Sequence, residues 1–274
     1  MARWRSLFLA LVLALAAWPA LATRNYQDMW WLPDESGWGL MVLHQGDVIS
    51  AVMFHYRADG KPVWYLLSNA PRGSEEFFTG TLFEVTGPPL FGLFNPAAVL
   101  PRNAGSMTLH FTGFNEATVS YTIDGVTAMR PIQRISYANL GMDGIYFGSQ
   151  VAVFSCDNSP EIGSYVFPAE FDIVASAIRD TRVTTTILGG EGVFCDWTDG
   201  NFTQAGSMIH GEGLIACRDG NSAPVSFGSF EVEQMRIVDH AVSINYRTTL
   251  EYPTAGISCT ERGLLSGTRL VRPD

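Results

Sequence analysis

From residue 36 onward, apolar and polar side chains alternate with a period of two, interrupted by clusters of Gly, Asp and Pro. Ser36–Gln45 places Trp38, Leu40, Val42 and His44 on one face and Gly37, Gly39, Met41 and Leu43 on the other. That is the pattern of a strand with one side against a core. Gln45-Gly46-Asp47 and Ala58-Asp59-Gly60 supply turn chemistry, and Val48–Tyr56 and Pro62–Ser68 resume the alternation. Asp-Gly accepts the positive φ that tight hairpins need. Phe77–Val85, Ser106–Phe111, Ala117–Ile123 and Ala128–Ile135 continue the series, with another turn at Asp124-Gly125. Short strands punctuated in this way predict an all-β sandwich or barrel.

The pattern resets near Ser136–Asp143, and Ile145-Tyr146-Phe147 opens a second series. Its strands are expected at Val151–Ser155, Tyr165–Ala175, Arg182–Leu188, Gly192–Asp196, Thr203–Ile209, Gly213–Cys217, Val225–Val232, Val242–Thr249 and Gly263–Val271. Asp196-Trp197-Thr198-Asp199-Gly200-Asn201 lacks the spaced ligands of a calcium loop and reads as a plain Asp-Gly turn. Helical periodicity is confined to Asn95–Leu100, where Asn caps and Pro occupies the first turn. The expectation is two consecutive small antiparallel meander barrels or sandwiches: an aromatic-rich β domain over 23–136 and a cysteine-containing one over 137–274.

Residues 1–22 stand apart. Arg3 and Arg5 precede an apolar run from Leu7 to Trp18, and Ala20-Leu21-Ala22 offers small residues at a cleavage site. This is the form of a secretory signal peptide, too short to serve as a membrane span. No second long apolar run follows, so no transmembrane segment is expected after cleavage. The compartment expected is periplasmic or secreted.

The formal charge is −10, and Lys61 is the only lysine. An acidic chain without a basic patch excludes nucleic acid as a partner. The four cysteines, Cys156, Cys195, Cys217 and Cys259, all lie in the second half. In an exported chain they read as two disulfides. The sequential pairs, Cys156–Cys195 and Cys217–Cys259, are favoured among three connectivities. No Cys-x-x-Cys knuckle supports zinc, and no cofactor or metal is expected.

Two runs form a set: Trp30-Trp31-Leu32-Pro33-Asp34-Glu35-Ser36-Gly37-Trp38-Gly39, and Tyr56-Arg57-Ala58-Asp59-Gly60-Lys61-Pro62-Val63-Trp64. With His44-Gln45-Gly46-Asp47 and Thr79-Gly80-Thr81-Leu82, they resemble a family of exported bacterial β-rich proteins. Gly211-Glu212-Gly213, Cys217-Arg218-Asp219-Gly220 and Cys259-Thr260-Glu261-Arg262-Gly263 look like the partner domain of such proteins. The resemblance implies architecture and export, and it carries over no catalytic residue.

The densest chemistry is aromatic. Trp30, Trp31, Trp38, Tyr56 and Trp64 crowd one short span beside Glu35. Flat ring faces next to a carboxylate suit a sugar, a cation or a planar ligand; the same rings also serve to fill a small β core. His44 and His55 have opposite parity on one hairpin, and His110, His210 and His240 are isolated. No nucleophile elbow, zincin helix, phosphate loop or dinucleotide fingerprint is present. The apolar stretch Thr86–Phe94 is expected to pack onto one barrel end.

These features rank a non-catalytic binding module first, with Trp30, Trp31, Glu35, Trp38, Tyr56 and Trp64 as its site and a glycan or small hydrophobic ligand as its guest. An envelope structural, protein-interaction or inhibitor protein ranks second, with an envelope protein as partner. A hydrolase without a recognisable motif ranks third.

Overall fold

The computed structural model describes residues 24–175, 181–187 and 192–270; the signal-peptide reading of 1–22 lies outside them. The chain forms two consecutive closed eight-stranded antiparallel barrels, each a simple meander. The first comprises β1 (Asp28–Trp31), β2 (Gly39–Gln45), β3 (Val48–Tyr56), β4 (Pro62–Pro71), β5 (Phe77–Thr86), β6 (Leu100–Phe111), β7 (Ala117–Ile123) and β8 (Val126–Arg134). β8 closes on β1 through Trp30 opposite Arg134. The second comprises β9 (Gly144–Cys156), β10 (Ser159–Ala175), β11 (Thr181–Ile187), β12 (Phe194–Ala205), β13 (Met208–Arg218), β14 (Pro224–Val238), β15 (Ala241–Tyr252) and β16 (Ile257–Arg269). β16 closes on β9 along eleven register pairs, from Cys259 opposite Cys156 to Arg269 opposite Tyr146.

The period of two decides which side chains fill each barrel. In the first, Leu40, Val42, Ile49, Ala51, Met53, Val63, Tyr65 and Leu67 point inward, and all are buried. Their neighbours Met41, Leu43, Tyr56 and Trp64 point out and are exposed. In the second, inward glycines make room for rings on the neighbouring strand. Gly263 lies opposite Tyr246 and Gly213 opposite Phe230. A Cβ on Gly263 would meet the Tyr246 hydroxyl at 2.4 Å, and one on Gly213 would meet the Phe230 ring at 2.8 Å. Interiors of eight-stranded barrels are just wide enough for side chains, so a glycine on one strand is what admits a large ring from the next.

Each barrel is latched at one end by an arginine from its last strand stacked on an aromatic ring of its first. The Arg134 guanidinium sits 4.7 Å from the Trp30 ring centroid, and that of Arg269 sits 5.3 Å from the Tyr146 ring centroid. Arg134 also donates to the carbonyls of Asn25, Gln27 and Phe114 and to Asp28 Oδ2. Asp28 in turn accepts from the backbone N–H and hydroxyl of Ser207, in the β12–β13 turn of the second barrel. Asn25 N–H donates to Gln234 Oε1 across the same seam. The barrels therefore meet through their latched ends, and their other ends, here called mouths, point away from the seam.

Three expectations are corrected. The disulfides are Cys156–Cys259 and Cys195–Cys217, in place of the two sequential pairs. Cys195 and Cys217 are register partners on β12 and β13, and barrel closure brings Cys259 opposite Cys156. Closure joins the first and last strands of a meander, which nearness in sequence does not reveal. The Thr86–Phe94 stretch does not pack: Leu90, Phe91 and Leu93 are 81%, 93% and 102% exposed. That end of the barrel carries Arg57, Glu84, Arg102 and Asp124, a charged rim rather than an apolar one. Finally, Asp199-Gly200 is not a hairpin turn. It lies inside β12, where the register with β13 slips between Thr198 and Asn201. Asp199 has φ +53° there, and a β-bulge uses the same left-handed backbone as a turn.

The one helical expectation is met by a single 3-10 turn, Pro96–Ala98, capped by Asn95 Oδ1 accepting from Ala97 N–H. Two disulfides fit an oxidising extracellular or periplasmic compartment. Among the described residues no helix is long and apolar enough to cross a membrane.

Candidate ligand-binding site

The strand alternation separates the aromatic residues of the first barrel. Trp30 is fully buried, with its indole N–H donating to Tyr26 O at 3.0 Å. Trp31 is half-buried opposite Gln133. Trp38 is half-buried against the core. Glu35 ends the 3-10 turn Pro33–Glu35 and pairs with Arg130 at 3.0 Å on the surface. Tyr56 and Trp64 are exposed on the outer wall, where Trp64 is the register partner of Phe54. Trp30 and Trp64 thus lie on opposite sides of the barrel wall, and the six residues do not converge on one pocket. His44 and His55 both point inward, but at opposite ends: His44 faces Ile49, and His55 faces Val63 at the far end of β3. Burial lowers the pKa of each.

At the mouth of the first barrel, the inward carboxylate of Glu84 is held by Arg57 and Arg102 together. Arg102 also donates to Asp124 Oδ2 at 3.0 Å. Every charge here has a partner within the protein.

The mouth of the second barrel is built differently. Alternation brings Phe154 and Cys156 from β9, Tyr165 from β10, Leu250 and Tyr252 from β15, and Ile257, Cys259 and Glu261 from β16 onto one inner surface. They line a half-open cavity of about 340 Å³, within the size range of small-molecule sites. Its walls are mainly ring and aliphatic surface together with the Cys156–Cys259 disulfide. The Cys195–Cys217 bridge, also buried, ties β12 to β13 in the same barrel. Cross-links between neighbouring strands hold the barrel shape without a filled core at this level.

Polar groups lie at the inner end of the cavity. The Tyr246 hydroxyl donates to Glu261 Oε1 at 2.6 Å, and Gln150 Nε2 donates to the hydroxyls of Tyr246 at 2.6 Å and Tyr165 at 2.9 Å. Burial raises the pKa of Tyr246 and of Tyr165, and the nearby Glu261 charge raises both further. These phenols therefore remain neutral donors at any physiological pH. Beneath them Trp197, Phe230 and Tyr246 pack ring to ring, with the Trp197 centroid 5.1 Å from that of Tyr246. Glu261 and Glu84 are the two buried carboxylates among the described residues, each 8% exposed. Glu84 has two arginines; no Arg, Lys or His nitrogen lies within 4 Å of Glu261 among the described residues.

A larger depression, about 510 Å³, crosses the outer face of β12–β15 beside Asp199, Glu212 and Arg247. It is the more open of the two and presents polar and apolar surface in similar measure. The mouth of the second barrel is walled almost wholly by apolar surface, which makes the mouth the better site for an apolar guest. No group of three or more His, Cys, Asp or Glu side chains positioned to hold a metal occurs among the described residues.

Sequence reasoning passed over Gln150, Tyr165, Tyr246, Tyr252 and Glu261. One signal was present: Glu261 is two residues from Cys259 in a strand, so it shares the inward face of the disulfide. No protein-family model matches the chain, and no curated protein matches it.

Proposed function

We propose that this protein is an exported, non-catalytic binding module that holds a small, largely apolar ligand in the mouth of its second barrel. The observation that carries this reading is the aromatic- and aliphatic-walled cavity between β9, β10, β15 and β16, stapled at its rim by Cys156–Cys259. Enclosed apolar pockets with a few convergent polar groups are the usual form of small-molecule sites. Export is supported by the apolar leader and by the disulfides. The test is calorimetric titration with small aromatic and aliphatic compounds and with oligosaccharides, on the wild type and on Ile257→Trp, which fills the mouth. Saturable binding that is lost in Ile257→Trp supports the reading. Binding that survives Ile257→Trp but disappears in Trp64→Ala moves the site to the first barrel and refutes it.

One observation favours a second reading, attachment to an envelope partner. Leu90, Phe91, Leu93 and Phe94 project from the β5–β6 connection with their apolar surfaces in water. Exposed apolar patches mark interaction sites. Loss of retention on envelope fractions in Phe91→Ser would support it.

A further inference from the structure

Resting on the reading just given, we infer that the ligand of the second barrel carries a protonated amine, and that Glu261 is its counter-ion. The argument begins with a contrast within the chain. Each barrel places one buried glutamate near its mouth, Glu84 in the first and Glu261 in the second. An ionised carboxylate shut away from water is costly unless it is paired and hydrogen-bonded. In the first barrel the protein supplies the pairing itself through Arg57 and Arg102, which reach the carboxylate from the half-exposed rim. In the second barrel no cation of the described chain reaches Glu261, and the space beside it is a cavity. The second mouth therefore holds a buried carboxylate with no cationic partner among the described residues, and the opening has room for a molecule that brings one.

The surroundings of Glu261 select the kind of cation. Tyr246 and Gln150 hold one carboxylate oxygen through a relay that ends on Oε1, which orients the group. Tyr165, Tyr252 and Phe154 offer ring faces and edges around the same space. Aromatic walls beside a carboxylate attract an ammonium both through the ring quadrupole and through the ion pair. Leu250, Ile257 and the disulfide then accept an apolar body. A carboxylate ligand would meet Glu261 as a like charge in a low-dielectric site and be rejected. A neutral alcohol would gain one hydrogen bond and leave the charge unpaired. The class indicated is a primary or secondary ammonium on a compact aromatic or aliphatic body.

The experiment titrates the full disulfide-bonded protein with three matched probes, phenethylamine, 2-phenylethanol and phenylacetate, at neutral pH. The expected order is ammonium at least about tenfold tighter than alcohol, with the carboxylate not binding. In Glu261→Gln, which keeps the size and a hydrogen-bonding group, the ammonium should fall to the affinity of the alcohol, whose own binding changes little. Equal binding of ammonium and alcohol by the wild type overturns the inference and leaves the apolar-site reading standing. Tighter binding of the carboxylate overturns it as well. Failure of all three probes to bind refutes both. The comparison on the wild type is decisive even if Glu261→Gln fails to fold, and far-ultraviolet circular dichroism reports whether it has folded.

Discussion

Replacing Arg134 with alanine should remove a side chain that ties four separate groups of the seam together. Its side chain is 2% exposed and ion-paired with Asp28 at 3.0 Å. It also donates to three backbone carbonyls and covers the Trp30 ring. Burial depresses its pKa and the Asp28 charge opposes that shift, so the charge is retained because of its partners. Deleting one member of a buried pair costs about 3–5 kcal/mol, because the other charge and the carbonyls are left unsatisfied. Against a typical domain stability of about 5–15 kcal/mol this is a third or more of the total. Asp28 keeps its two bonds from Ser207, which places the cost toward the lower end of that range. Urea denaturation followed by tryptophan fluorescence should show the midpoint falling by about 1 M or more, with the slope unchanged. Arg134→Lys keeps the charge but cannot reach four acceptors as a planar fork does, and should lose an intermediate amount. Arg269→Ala in the second barrel should cost only about 1–2 kcal/mol, since Arg269 bonds to Tyr146 and the Gly141 carbonyl rather than to a carboxylate. A loss below about 1 kcal/mol in Arg134→Ala, or equal losses in the two barrels, would refute the latch reasoning.

Three further outcomes are expected. Non-reducing peptide mapping should recover Cys156 linked to Cys259 and Cys195 linked to Cys217. Removing the first bridge, with sequence separation 103, should destabilise more than removing the second, with separation 22; loop entropy gives about 4.7 against about 3.4 kcal/mol. Gly228→Ala should destabilise strongly, since a Cβ there would lie 1.8 Å from the Thr249 carbonyl oxygen, while Gly141→Ala, with nothing within 4 Å, should be neutral in the same thermal melt. Acidification should weaken the first barrel through His44 and His55. Both have folded pKa values below the ordinary 6.5 because burial disfavours the charged ring. The unfolded chain therefore binds protons first, and stability falls as pH drops below about 6.5 toward the folded values. Urea midpoints at pH 7 and 5.5 measure this, and a His44→Gln/His55→Gln variant that falls as steeply as the wild type would contradict it.

Alternation, turn residues and cysteine count determine much of this molecule by themselves. Leu40, Val42 and His44 had to share a face because a strand repeats every two residues, and Gly46, Gly60 and Gly125 mark turns because they adopt positive φ. What those local signals could not carry was closure. Whether β16 returns to β9 depends on the summed twist and stagger of eight strands, and only that return puts Cys259 opposite Cys156. The same limit hid β1 as a strand, since its four residues gain their ladder from β2 and β8 together. It also made Asp199-Gly200 read as a turn, because bulges and turns ask the same backbone angle of the same residues. The aromatic span was visible as composition, yet its division into the buried Trp30 and the exposed Trp64 follows from which wall each strand builds. The candidate site was hidden most completely. Phe154, Tyr165, Tyr246 and Glu261 are separated by up to 107 residues in the chain, and no local spacing links them. The sequence by itself determined strands, faces and the need for disulfides, because these depend on residues within a few positions of one another. The tertiary structure alone decided the pairings, the seam and the placement of Glu261 in the second mouth without a cationic side chain beside it, because these depend on which distant strands close the ring.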